Sequence, residues 1–214
     1  MNTVDPADPT ASAPPALSGR GRGDSLKSVL LDKAFDLLDQ NGPDGVTIRA
    51  VARAAGVSHA APANHFPDRR QLLTEMATAI FRQYLERVDD YPGPCRARAY
   101  LGALVAYAIA FPGRYELLWR TDLVAWDSPV FRADLNRTYA DYVEALRTSP
   151  ASSAHPGRDI ETLATAAWSM AHGYAELRST GIFEPRTDAA TGQTRLDAML
   201  DLMLGPQARS SETG

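Results

Sequence analysis

Leu26, Val29, Leu30, Ala34, Leu37 and Leu38 recur at three- and four-residue spacing with charged residues between them, the pattern of a helix with one apolar face. Asn41-Gly42-Pro43 stops that pattern. Thr47 then stands as an N-cap before residues 48–55, and Gly56 follows where a helix commonly ends. Ser58 reads as a second N-cap, opening a segment over residues 59–66 that Pro67-Asp68 breaks. Asp68 caps a long helix through Leu72, Leu73, Met76, Ile80, Tyr84 and Val88. Tyr91-Pro92-Gly93-Pro94 is the clearest boundary in the chain. Beyond it Tyr100, Leu104, Tyr107 and Phe111 share a helix face, and a short segment follows at residues 115–119. Phe131, Leu135, Tyr139, Tyr142 and Leu146 mark another helix, residues 149–157 a loop, residues 160–177 an Ala-rich helix and residues 196–204 a last one. No alternating run of Val, Ile and Thr suggests a sheet, so the pattern predicts an all-α protein.

Composition narrows the class. Apolar residues make up 44% of the 214 positions and charged residues 22%, enough to bury a core. No apolar stretch reaches the roughly 18 residues that a membrane span needs. Asp5 and Asp8 near the start argue against a secretory signal, so the expected compartment is the cytoplasm. The single cysteine, Cys95, excludes an internal disulfide and any multi-cysteine metal site. The four histidines (59, 65, 155 and 172) have no spacing suited to zinc, and no glycine-rich phosphate loop is present. No metal, no cofactor and no catalytic residue is expected. An α-helical enzyme would rest on nothing but an aromatic pocket.

Charge is uneven. The net charge is −4, yet residues 20–70 hold eight basic and six acidic residues, a balance of +2 against −6 elsewhere. A basic front on an acidic body suits a protein that presents one end to a polyanion. Residues 1–23 read as a disordered arm ending in Arg20 and Arg22, which could enter a minor groove or have no role, and residues 206–214 as a polar tail.

The informative segment is residues 47–66: a capped helix, a Gly turn and a second capped segment. That is the outline of a helix-turn-helix, whose second helix enters the major groove in the DNA-binding version. On spacing alone, two helices joined by a Gly turn suit many all-α proteins equally well.

Residues 25–73 resemble the DNA-binding domain of the TetR/AcrR family of bacterial transcriptional regulators. The likeness is carried by Gly42 after the first helix, Thr47, Val51-Ala52, Ala55-Gly56-Val57-Ser58, His65-Phe66 and Arg69. The string Ala167-Trp168-Ser169-Met170-Ala171-His172-Gly173 resembles the Trp-His-Gly signature of one C-terminal domain of that family. Where family members usually carry a phosphate-contacting Tyr, two residues before the His-Phe pair, this chain has Ala63, and Pro62 sits inside the short helix.

The resemblance implies a three-helix helix-turn-helix domain at residues 24–70 and a helical effector-binding and dimerisation domain at 71–205. It implies double-stranded operator DNA, a small mainly apolar effector and a second copy of the chain as partners, with no membrane. Ser58, His59, Ala60 and Ala61 would meet base edges. Asn64 would meet adenine or phosphate, and Thr47, Arg49, His65 and Arg69 would meet phosphates. Arg53 could equally be a solvated charge.

Ten of the 17 aromatic residues lie within residues 91–150, packed in a core or lining an effector pocket. The candidates are Tyr107, Phe111, Trp119, Trp126, Tyr139 and Trp168, with His172 as a polar anchor. The small face of Ala164, Ala167 and Ala171, with the apolar stripe Leu196, Met199, Leu200 and Met203, would form the dimer interface or pack on its own subunit. A different class of protein stays open, a helical small-molecule binder or scaffold whose helix-turn-helix no longer reads DNA.

Overall fold

The computed structural model describes residues 26–206, and the arm and the polar end of the chain lie outside them. The described residues form helices α1 (Leu26–Gly45), α2 (Ile48–Ala54), α3 (Arg69–Asp90), α4 (Arg96–Ala110), α5 (Pro112–Trp119), α6 (Pro129–Arg147), α7 (Ala151–Ala154), α8 (Ile160–Ser179) and α9 (Arg195–Leu204), with a single 3₁₀ turn at Ala61–Asn64. An isolated bridge pairs Thr187 with Thr194 in the α8–α9 connection, and no strand is present among the described residues. No described helix is long and apolar enough to cross a membrane.

The helices pack into two units, and the division differs from one drawn near residue 70. The first unit takes the chain up to Gln83 together with residues 107–128; the second takes residues 84–106 and everything after 128. Among all helix pairs, α1 makes its most extensive contact with α5. Gly113 allows it: a Cβ there would lie 3.0 Å from the Leu38 carbonyl oxygen, tighter than most side chains tolerate.

In the first unit α1 turns Leu30, Ala34, Phe35 and Leu38 inward. Gly42 ends the helical run at φ 68°, as the Asn-Gly-Pro signal predicts, and Pro43 starts a short turn behind it. Thr47 caps α2 by accepting a hydrogen bond from the Ala50 N–H at 3.1 Å. Asp68 caps α3 through the Gln71 N–H at 2.8 Å, and Leu72, Leu73, Met76 and Ile80 are fully buried.

A buried charge ties this unit together. Arg114 on α5 donates through Nε and Nη2 to both oxygens of Asp39 on α1, at 2.8 and 2.6 Å. Its Nη1 donates to Gln83 Oε1 at 3.1 Å, and the Tyr107 hydroxyl donates to the same oxygen at 2.9 Å. The guanidinium lies 5.0 Å from the Phe35 ring centroid and 4.8 Å from that of Phe111, within cation–π range of both.

In the second unit Tyr84, Leu101, Phe131, Tyr142 and Leu146 fill the interior with Ala164, Ala167, Ala171, Leu200 and Leu204. Asp159 caps α8 through the Thr162 N–H, and Thr194 and Asp197 cap the start of α9 reciprocally. The segment 149–157, read as loop, contains the one-turn helix α7, which Ser149 helps to start by accepting from the Ala151 N–H.

Asp39→Ala leaves the buried Arg114 guanidinium without its carboxylate. It is expected to destabilise the protein by about 3 kcal/mol, read as a lower urea midpoint; an unchanged midpoint would show that the pair contributes nothing net.

Candidate nucleic-acid interface

The segment from α2 to α3 is built by a few inward residues. Val51, Ala52, Pro62 and Phe66 are buried, and the Gly56 backbone at φ 68° lets the chain leave α2. The Val57 N–H returns to the Ala52 carbonyl at 3.0 Å and closes the turn. The Phe66 ring has Lys27 Nζ 5.6 Å from its centroid, and Lys27 is itself held by Glu75 at 2.7 Å.

With those side chains turned in, Thr47, Arg49, Ser58, His59, Ala60 and Asn64 remain exposed, and Ala61, His65 and Arg69 are half-buried. Arg53 is exposed as well. An exposed row of small, hydroxyl, amide, imidazole and guanidinium groups is what base edges and phosphates require.

Two expectations about local structure change. Ser58 does not cap a helix. Its carbonyl accepts from the Ala61 N–H, and a turn at residues 59–60 leads into the single 3₁₀ turn, whose capping position, Ala60, makes no side-chain bond. Pro62 explains this, because it supplies no N–H and restrains Ala61.

Arg69 has a different partner from the phosphate expected of it. Its Nε donates to the Val46 carbonyl at 2.7 Å and its Nη2 to the Pro43 carbonyl at 2.8 Å. It therefore fixes the connection that delivers Thr47 and Arg49 to the surface. Nothing local in the sequence signals this, because the carbonyls lie 23 and 26 residues away.

The aromatic candidates are divided between the two units. Tyr107, Phe111, Trp119 and Trp126 belong to the first unit, and Tyr139, Trp168 and His172 to the second. Tyr107 is buried against Phe111 at 5.1 Å between ring centroids, and Trp119 packs on Trp126 at 5.5 Å. Trp168 lies 5.0 Å from Tyr142 and 5.5 Å from His172. Tyr139 is exposed and donates to Glu161 Oε2 at 3.1 Å. Within each unit these rings are in contact with one another.

The expected dimer residues also divide. Ala164, Ala167, Ala171 and Leu200 are completely buried within their own unit, so they cannot meet a second copy. The small face of α8 admits the bulk of its neighbours instead. Leu196, Met199 and Met203 are half-buried. Exposed positions on these helices include Ala166, Ser169 and Gly173 on α8 and Leu202 on α9, which is 76% exposed.

Burial lowers the pKa of His172 from 6.5 to about 4, so the imidazole is neutral in the folded protein at neutral pH. The unfolded chain then binds more protons through this window. Stability is full above about pH 6.5 and falls toward pH 4, by on the order of 3 kcal/mol. His172→Gln is expected to flatten that dependence, measured by urea unfolding at several pH values; an unchanged slope would place the sensitivity elsewhere.

Comparison with known proteins places this geometry. Residues 30–76 match the family model described as bacterial regulatory proteins, tetR family, and residues 97–203 match the tetracyclin repressor-like C-terminal domain. The Trp168 to Gly173 string lies inside that second match. The chain is 27% identical, over 94% of its own length and 95% of the relative's, to an uncharacterized HTH-type transcriptional regulator of Mycobacterium tuberculosis. A solved structure from Rhodococcus sp. RHA1, described as a protein with unknown function, shares 27% identity and superposes with a TM-score of 0.65, covering 77% of this chain and 88% of that one. A TetR family transcription regulator from Marinobacter aquaeolei VT8 superposes with a TM-score of 0.60 at 18% identity over 83% of this chain and 92% of that one, a likeness of fold.

Proposed function

The chain belongs to the tetR family of bacterial regulatory proteins and is a DNA-binding transcriptional regulator; we propose that it acts in the cytoplasm as a homodimeric repressor that releases its operator when a small, mainly apolar effector binds. The observation that carries the DNA reading is the exposed row from Thr47 to Asn64, held outward by buried Val51, Ala52, Pro62 and Phe66. His59 and Asn64 supply base-edge hydrogen bonds, Ala60 and Ala61 methyl contacts, and Thr47, Ser58, Arg49 and His65 backbone contacts. In the homodimer two such rows lie about 34–36 Å apart on a pseudo-palindromic operator. The effector acts by its differential affinity for the DNA-competent and incompetent states, about 1–3 kcal/mol of coupling. The role involves no turnover.

Ala63 and the single 3₁₀ turn favour a second reading, a ligand-binding helical protein that grips DNA weakly and without sequence preference. Operator selection from random duplexes, followed by fluorescence anisotropy across salt concentrations, separates the two. Binding that shows no sequence preference would establish the second reading; absence of salt dependence would remove both.

Arg49→Ala is expected to weaken binding to all duplexes alike and to reduce the salt slope by about 0.9. His59→Ala is expected to change base preference at one or two operator positions. If the two variants exchange these behaviours, the roles are reversed.

Leu202→Asp is expected to split the homodimer into folded monomers, because it sets a charge on the outward face of α9. Leu200→Asp is expected instead to abolish cooperative unfolding, because Leu200 lies in the subunit's own core. Sedimentation velocity with circular dichroism distinguishes them, and a Leu202→Asp dimer would move the interface away from α9.

A further inference from the structure

Binding to DNA draws on cations, and few in the DNA-facing segment are uncommitted. Lys27 is held by Glu75 at 2.7 Å and Lys33 by Asp36 at 2.8 Å. Arg69 donates to the Val46 and Pro43 carbonyls, and Arg70 to those of Asp122 and Val124 at 3.3 and 3.2 Å. Among the described residues up to Arg70, that leaves the guanidinium groups of Arg49 and Arg53, both exposed on α2. Even counted twice for a dimer, they fall short of the roughly six to ten phosphate contacts behind a steep salt dependence.

The two further basic residues of this region are Arg20 and Arg22, in the string Gly19-Arg20-Gly21-Arg22-Gly23. They lie outside the described residues, but the point from which the chain runs back to them is fixed. Lys27, in the first turn of α1, has its Nζ 5.6 Å from the centroid of the Phe66 ring and 2.7 Å from Glu75 on α3. Phe66 closes the DNA-facing segment: its N–H returns to the Pro62 carbonyl at 2.8 Å, and the His65 ring lies 6.5 Å from its own. The arm therefore joins the folded unit beside the exposed row from Thr47 to Asn64.

Reach and spacing name the groove. Arg22 is five residues back from Lys27 and Arg20 seven, a reach of up to about 17 and 24 Å. Both exceed the roughly 12 Å width of the major groove, so the arm extends past the bordering strand to the minor groove beyond it. Residues two apart in an extended chain share a face about 7 Å apart, which is about two base-pair steps of DNA. Gly21 between them lets the backbone approach the groove floor, where a side chain would hold it off. Asp24 is the only carboxylate from residue 9 to residue 31, so the string keeps its positive charge.

We propose that residues 19–23 form a second DNA contact, in which Arg20 and Arg22 enter the minor groove bordering the half-site that the Thr47–Asn64 row reads in the major groove. Their ligand is an A·T-rich step, whose narrow minor groove has enhanced negative potential and lacks the guanine amino group. The proposal rests on the regulator reading for its duplex, and adds to it a second groove and a sequence preference outside the helix-turn-helix.

The duplex recovered by operator selection is prepared with a constant core and with the base pairs bordering each half-site made A·T, G·C or inosine·C. Binding to the full-length protein is read by fluorescence anisotropy across salt concentrations. Inosine·C keeps the major-groove edge of G·C but lacks the amino group, so its minor-groove edge is that of A·T. The protein is expected to bind the A·T and inosine·C duplexes alike, and about tenfold more tightly than the G·C duplex. Arg20→Ala combined with Arg22→Ala is expected to equalise the three duplexes and to lower the salt slope by about 0.9 for each cation withdrawn, with the urea midpoint unchanged. Binding to the core that ignores the border pairs, a preference that inosine·C does not restore, or a double variant indistinguishable from the unsubstituted protein overturns the proposal and leaves the regulator reading standing. A lower salt slope in the double variant without any border preference reduces the arm to a backbone contact and overturns the groove assignment. Failure to bind any duplex removes the regulator reading and the arm contact with it.

Discussion

One buried guanidinium holds four helices to a common centre. Arg114 comes from α5, Asp39 from α1, Gln83 from α3 and Tyr107 from α4, and Phe35 and Phe111 lie close to the charge. Removing an arginine from water is costly, and the cost is met here only because three of its nitrogens have acceptors while two rings lie against it. Such a group tolerates few geometries. An apolar side chain in its place could slide along α1; a fork matched to both oxygens of one carboxylate cannot. The helix that precedes the helix-turn-helix is therefore fixed in register against α5, with Gly113 letting the two backbones come close enough for the pair to form.

From that fixed helix the DNA-facing segment follows by short-range constraints. Gly42 breaks α1 three residues before its end, Arg69 grips the carbonyls behind that break, Thr47 starts α2 and Gly56 turns the chain into the 3₁₀ segment. Pro62 and Phe66 face inward and leave His59, Ala60 and Asn64 outside. The exposed chemistry is modest, being two histidines, an asparagine, hydroxyls and methyl groups with guanidinium groups on α2. The exposed guanidinium groups sit on α2, and the imidazole and amide groups on the turn that follows it.

What was legible in the sequence was local. Thr47 and Asp68 are caps whose partners lie three residues away, and Gly42 and Gly56 are needed where the backbone enters the left-handed region. The family strings around Val51-Ala52 and His65-Phe66 located the DNA-facing segment because their spacing is local too. What was not legible depends on partners distant in the chain. Arg114 and Asp39 are 75 residues apart, and no periodicity links them. On α8 and α9 the apolar stripes were found, but not which side looks inward. Ala164, Ala167, Ala171 and Leu200 face the interior of their own unit, where the Tyr142 hydroxyl donates to the Ala164 carbonyl.

Arg69 has a mechanical consequence. Its side chain grows from the first turn of α3, yet its donors clasp the carbonyls just before α2. The long helix and the start of the short one thereby behave as one hinged piece. A helix of 22 residues is tied at its first turn to the chain that enters α2, so the direction of α3 and the setting of Thr47 and Arg49 are specified together.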